Sequence, residues 1–415
     1  MRPRSDPTGI GDFAVPTATD TRFEPTRRLL PGEQGKVQDV KFTVERDVLA
    51  EAVTWTARSL PSRPSIPVLA GVRLEATSTG TLALSSFDYE VSAVSEITAE
   101  VSEPGTVLVS GRLLAEISRS LPSRPVEIVV EGTRAVLTCG SRRFTLLTMP
   151  LEDYPALPAL PPASGTIDAH AFAEAVSQVT IAASRDETLP LLTGVRLEIE
   201  GDTLTLLATD RYRLAMREVA WNPATPGLSA TALVRARTLS EVAKSLTSAG
   251  ALSISLPSGS GSEIVGFEAG GRRTTSLLVD GDYPPVRRLF PESTTSHAVV
   301  ATQSLVEAAR RVALVAERNT PIRLEFSEGQ VVLEAGQGEG AQASEAIEST
   351  FDGETITTAY NPGYLLDALG AVGKEFTRIS FTHGTKPSVI TGQSAVDSTE
   401  DSGFRYLIQP IRFAG

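Results

Sequence analysis

The sequence predicts an α+β protein made of three tandem copies of one unit, each copy holding two similar helix-plus-sheet halves. Two observations carry this. First, three segments open alike: VERDVLAEAV at Val44–Val53, IDAHAFAEAV at Ile167–Val176 and VATQSLVEAA at Val300–Ala309. Second, Gly71-Val72-Arg73-Leu74-Glu75 returns as Gly194-Val195-Arg196-Leu197-Glu198, at the same 123-residue spacing that separates the first two openings. Two matches in one register mark a duplicated structural unit. After a shorter connection, Ile322-Arg323-Leu324-Glu325 fills the corresponding place in the third copy.

The elements follow in order within each repeat. Leu49, Ala52, Val53 and Thr56 share one stripe at i, i+3, i+4, i+7 spacing, which predicts an amphipathic helix. Thr81-Leu82-Ala83-Leu84 and Val126-Glu127-Ile128-Val129-Val130 are short, β-rich and bounded by turn formers, which predicts strands. Leu114, Ile117 and Leu121 predict a second helix. Its segment VSGRLLAEI (Val109–Ile117) matches VRARTLSEV (Val234–Val242) and, more loosely, YNPGYLLDAL (Tyr360–Leu369). Repeats one and two close on Asp153-Tyr154-Pro155 and Asp282-Tyr283-Pro284, and the Pro-rich stretches 157–164 (LPALPPAS) and 290–296 (FPESTTS) read as linkers. The expected boundaries are 1–36, 37–160, 161–292 and 293–415. Residues 1–36 are rich in Pro, Thr, Gly and Arg without apolar periodicity, so they are expected to be a disordered extension. An upstream start codon assigned in error is the other reading of that segment.

Composition excludes several function classes. The lone cysteine, Cys139, leaves no intrachain disulfide. With no secretory signal and no long apolar run, the expectation is a cytoplasmic protein without a membrane anchor. The net charge of -12 argues against a simple nucleic-acid binder, although phosphate binding follows the local field rather than the total. A protein that surrounds DNA loosely should also avoid tight phosphate neutralisation.

No chemical constellation is visible. The three histidines, His170, His297 and His383, have no cysteine or other histidine beside them, so no metal-ligand spacing exists. No nucleotide-binding, nucleophile-elbow or zinc-protease motif occurs. The glycine-rich segment Gly336–Gly340 is read as a loop, and Asp88, Asp153, Asp210 and Asp282 as turn residues bonding backbone N–H groups. No catalytic residue, metal or cofactor is expected.

At this point the sequence resembles the bacterial DNA sliding clamp, the β subunit of the replicative polymerase, from Val40 to Phe413. The motifs that carry it are Ala208-Thr209-Asp210-Arg211-Tyr212-Arg213-Leu214-Ala215, Asp282-Tyr283-Pro284 with Arg287-Arg288-Leu289, Tyr360-Asn361-Pro362-Gly363-Tyr364-Leu365-Leu366, and Tyr406-Leu407-Ile408-Gln409-Pro410-Ile411-Arg412. The resemblance implies a head-to-tail homodimer closing a ring around duplex DNA. It implies no cofactor of the chain's own and a loader complex that opens the ring. It also implies partners, the replicative polymerase among them, that dock short peptides between repeats two and three.

Carried over residue by residue, the implied peptide pocket comprises Leu192, Thr209, Arg211, Arg213 and Leu214; Pro284, Arg288 and Leu289; Asn361 and Tyr364; and Leu407, Gln409, Pro410, Ile411 and Arg412. Its leucines are also explained by ordinary core packing. Helices or helix ends carry Arg58, Arg63, Arg112, Arg119, Arg124, Arg235, Arg237, Lys244, Arg310, Arg311 and Arg318. Of these Arg63, Arg58, Arg112, Arg119, Lys244, Arg310 and Arg318 are the DNA-facing candidates, with a merely solvated face as the plain alternative. Gln409 stands where the family usually has Met, and Ile411 and Phe413 also depart from it. Three readings result: a housekeeping clamp, a clamp paralogue whose altered pocket resists a clamp-binding inhibitor, and an enzyme whose site forms no motif.

Overall fold

The structure is a computed structural model, described over residues 40–246, 250–257, 263–317, 320–336 and 340–412. The described residues all lie in one compact unit, Asp39–Gly415. The expected disordered extension, Arg318, Phe413 and residues 337–339 of the glycine-rich loop lie outside the described residues.

Each repeat contributes two helices: α1 (Arg46–Thr56) and α2 (Gly111–Ser120), α3 (Ala169–Thr180) and α4 (Ala236–Leu246), α5 (Thr302–Ala313) and α6 (Pro362–Ala371). They pack as the pairs α1/α2, α3/α4 and α5/α6. The stripe predicted for α1 is buried at Leu49, Ala52, Val53 and Thr56, and Leu114, Ile117 and Leu121 are buried at α2. Spacing near 3.6 residues per turn stacks these side chains on one side of the cylinder, so a single face turns to the sheets. Asp168 and Asn361 cap α3 and α6 by accepting backbone N–H groups of the first turn.

Each half keeps the expected order of strand, helix and strands, and the opening strands pair across the two halves. Val40–Glu45 pairs with Pro125–Glu131 of the second half, while Gly105–Ser110 pairs with Gly71–Ala76 of the first. Repeats two and three do the same through Gly165–Asp168 with Ala251–Ser255, and Ser296–Ala301 with Phe376–Phe381. The physical reason is that a strand followed at once by a helix leaves its hydrogen-bonding edge free for any antiparallel neighbour, and the adjacent half supplies one.

Sheets also run across the joints between repeats. One nine-stranded sheet joins repeats one and two where Val91–Thr98 pairs with Arg272–Leu277. A second joins repeats two and three where Arg213–Ala220 pairs with Asp401–Ile408. Two smaller sheets end in unpaired edges at Arg142–Leu147 and Ala343–Glu348. The first joint is reinforced by Ser92 and Thr275 hydroxyls 2.6 Å apart, by an Arg272–Glu51 ion pair, and by Arg272 lying over the Trp55 ring at 5.5 Å. The turn role expected for aspartates is seen at Asp88 and Asp210, whose Oδ1 atoms each accept two backbone N–H groups from the residues that follow.

Candidate functional site

The hairpin Thr209–Arg213 builds one wall of the site. Arg211 holds φ at 82°, a left-handed conformation that costs a side-chain-bearing residue about 1–3 kcal/mol. Neighbouring side chains hold it there: Thr209 Oγ1 donates to Arg213 O at 2.6 Å and accepts from Arg211 N at 3.1 Å. Tyr89 adopts φ of 74° at the same place in repeat one, so this strain belongs to the repeated hairpin rather than to the site alone.

Arg213 leaves this hairpin and is buried at the joint of repeats two and three. Its Nε donates to Asp210 Oδ2 at 2.9 Å, and its Nη1 to Asp367 Oδ2 at 2.6 Å and to the Tyr406 hydroxyl at 3.4 Å. Its guanidinium carbon lies 4.2 Å from the Tyr364 ring centroid. Burial works against the charge, but Tyr406, Asp367 and Asp210 outweigh it and raise the guanidinium above its ordinary range. The Tyr406 hydroxyl, pushed up chiefly by burial, donates to Tyr364 O at 3.2 Å. Tyr364 in turn stacks on Tyr212, with ring centroids 6.4 Å apart.

Beneath this polar wall lies an apolar floor. Leu192, Leu214 and Leu407 meet Leu207, Met216, Leu233, Tyr283 and Val286 in one buried cluster, separate from the larger cores. Leu289 is 55% exposed and stands outside that floor, on the rim with the exposed Pro284, Arg288, Arg211 and Arg412. Pro410 and Ile411 are partly buried, and Ile411 N donates to Ala359 O at 2.8 Å. Asn361 caps α6 through its Oδ1 alone, accepting from Gly363 N and Tyr364 N. Gln409 is exposed and held through its backbone, its N–H donating to Tyr212 O at 2.9 Å. Its amide therefore reaches water, and a desolvation penalty for a buried amide does not arise.

Of the residues singled out in the sequence, Leu192, Leu214 and Leu407 meet in that cluster, and Arg213 meets Tyr364. Four participants were not picked out as site residues. Tyr212 and Tyr406 lay inside quoted motifs, Asp210 was read only as a turn former, and Asp367 gave only the signal of standing three residues after Tyr364 on one helix.

The candidate basic residues fall into two further groups. Arg58 and Arg63 line an open recess of about 860 Å³ between repeats one and two, with Arg185, Arg235 and Arg237. Arg58, Arg119 and Lys244 meet Arg272 around a second recess of about 360 Å³. Arg112 and Arg310 are exposed and line neither of these; Arg112 donates to Pro61 O at 3.0 Å. Among the described residues, no group of three or more His, Cys, Asp or Glu side chains is placed to hold a metal, and no helix is long and apolar enough to cross a membrane.

Comparison with known proteins places this geometry. The N-terminal, central and C-terminal domain models of the DNA polymerase III beta subunit match residues 40–158, 166–285 and 287–412. The beta sliding clamp of Streptomyces coelicolor is 56% identical over 91% of this chain and 100% of its own length. The beta sliding clamp homolog GriR of Streptomyces muensis is 44% identical over 90% of this chain and 100% of its own. In three dimensions the chain is similar to a Pseudomonas aeruginosa DnaN sliding clamp, solved bound to griselimycin, with a TM-score of 0.83 at 28% identity, covering 90% of this chain and 100% of that one.

Proposed function

The chain belongs to the DNA polymerase III beta-subunit family, and from that premise we propose how its own residues carry the family's role. It is a DNA sliding clamp: a ring of two chains encircles duplex DNA and tethers the replicative polymerase as a processivity factor.

The observation that carries the ring is a pair of sheet edges, one in repeat one and one in repeat three, that match the strands used at both joints. Both joints within the chain use the same two strands of the repeat, and the set left over is Arg142–Leu147 of repeat one and Ala343–Glu348 of repeat three. The register of the missing joint follows from the ladders. Ser95 lies across from Leu84, which lies across from Leu74; Glu345 lies across from Leu333, which lies across from Leu324. Glu345 therefore occupies the place of Ser95. Arg142 and Arg272 likewise each open the last strand of a repeat, just after a two-residue turn. Since Arg272 pairs with Ser95, Arg142 of a second copy should face Glu345. A basic edge meets an acidic one, and the contact is head-to-tail. The test is mass in solution: twice the 44.0 kDa chain, 88 kDa, is expected at micromolar concentration, and a monomer throughout would overturn the reading.

We infer that the site between repeats two and three is a groove for an extended peptide. The floor of Leu192, Leu214 and Leu407 takes aliphatic or aromatic anchors, and the rim of Arg211, Arg288, Asn361 and Arg412 fixes register. The meeting of Leu192, Leu214 and Leu407 in a cluster apart from the main cores supports this. The exposed cations around the two recesses of repeats one and two are assigned to DNA phosphates, contacted weakly enough to permit sliding. The proposed repeat boundaries stay at 37–160, 161–292 and 293–415. A role on the chromosome places the protein in the cytoplasm and calls for no catalysis by the clamp itself. Identity of 56% to the Streptomyces coelicolor beta sliding clamp, against 44% to the clamp homolog GriR, favours the housekeeping-clamp reading.

A further inference from the structure

The three repeats provide an internal control for the groove, because equivalent positions can be compared at both joints. The ladders align Ile322–Tyr360 with Val195–Val234, which places Tyr364 and Asp367 of α6 where α4 has Thr238 and Glu241. The Asp88 and Asp210 turns align Val91 with Arg213. At the joint of repeats one and two these positions hold valine, threonine and glutamate. At the joint of repeats two and three they hold a buried arginine, an aromatic ring and a carboxylate that touch one another. Repetition of the fold does not require the second set.

Around Arg213, the carboxylates of Asp210 and Asp367 do different things. Asp210 also accepts two backbone N–H groups of its own hairpin, so it ties Arg213 to repeat two. Asp367 comes from repeat three, one helical turn beyond Tyr364, and i, i+3 spacing puts both on the same side of α6. Its Oδ2 accepts from Arg213 Nη1 at 2.6 Å while the guanidinium carbon sits 4.2 Å from the Tyr364 centroid. Carboxylate and ring thus hold one cation, and the same ring meets Tyr212 across the joint.

We propose that Asp367 is a positioning residue for peptide binding: it holds Arg213 against Tyr364 and so fixes the orientation of the aromatic rim. It does not touch the peptide. The proposal rests on the groove reading above, and its selectivity is for peptides whose anchor packs on Tyr364. With a neutral amide in its place, Arg213 stays paired to Asp210, but Tyr364 loses its fixed cationic partner.

The experiment is titration of a fluorescein-labelled peptide from the replicative polymerase, with leucine and phenylalanine anchors, against the full-length dimer. Asp367→Asn should weaken binding on the order of tenfold, as expected for members of one coupled network. Asp367→Glu should restore most of it. In a Tyr364→Ala background, Asp367→Asn should cost nothing further. Asp401→Asn removes another carboxylate of the same joint, the partner of Arg217, and should leave binding unchanged. Melting temperature and dimer mass, recorded for every variant, identify any that fail to fold. Full affinity in folded Asp367→Asn, additive losses with Tyr364→Ala, or an equal loss from Asp401→Asn would overturn the proposal. Failure of the wild-type dimer to bind the peptide would instead sink the groove reading beneath it.

Discussion

Replacing Arg142 by Glu should open the ring, and its magnitude can be worked from the register. Arg142 of one copy faces Glu345 of the other by the ladder equivalence with Arg272 and Ser95. A facing pair of opposite charges contributes about 0.2–1 kcal/mol, and like charges destabilise by a similar amount. The swing is then about 0.4–2 kcal/mol per joint. Separating two chains breaks two joints, so the dimer should lose roughly 2 kcal/mol, a rise in Kd of about 30-fold. Arg311 remains beside Glu345, with Nη2 2.6 Å from Oε1, which keeps the effect toward the lower end by leaving that carboxylate partly neutralised. Sedimentation velocity over a dilution series measures the shift. The charge-reversed double variant, Arg142→Glu with Glu345→Arg, should recover much of the loss. A single variant as tight as wild type, or a double variant no tighter than the single, would show that these strands do not meet in the inferred register.

Three other outcomes are expected. Arg63→Ala should lower the salt slope of retention on circular DNA by roughly one unit, since one phosphate contact is removed; an unchanged slope would make Arg63 a solvated residue only. Leu214→Ala removes a side chain 1% exposed from the groove floor and should lower stability by about 2–5 kcal/mol, read by urea unfolding, and weaken peptide binding as well. Gln409→Met should change affinity for either a polymerase peptide or a hydrophobic cyclic peptide by less than about threefold, as for exposed substitutions. A large gain for the cyclic ligand alone would revive the reading of Gln409 as an inhibitor-excluding change.

The sequence by itself determined whatever depends on spacing within a single element. Leu49, Ala52, Val53 and Thr56 had to share a helix face, and Asp88 and Asp210 had to sit where their carboxylates reach the N–H groups two and three residues on, because both are set by local geometry. The repeat itself was legible for the same reason: a duplicated unit duplicates its local pattern. Candidate groove residues could be named from motifs in four segments, though not the contacts among them. Only the tertiary structure decided how those pieces join. Exchange of opening strands between halves depends on which free edge lies nearest, and periodicity is blind to that. Arg213 meets Asp367 across 154 residues of sequence and Tyr406 across 193, at a joint whose register is fixed by pairing between whole repeats. Gln409 faces water because its backbone is tied to Tyr212, which leaves its side chain outside the floor. A side chain's chemistry is written in the sequence, but its dielectric surroundings and its partners are set by packing, and those decide which leucine is floor, which arginine is clamp and which carboxylate holds it.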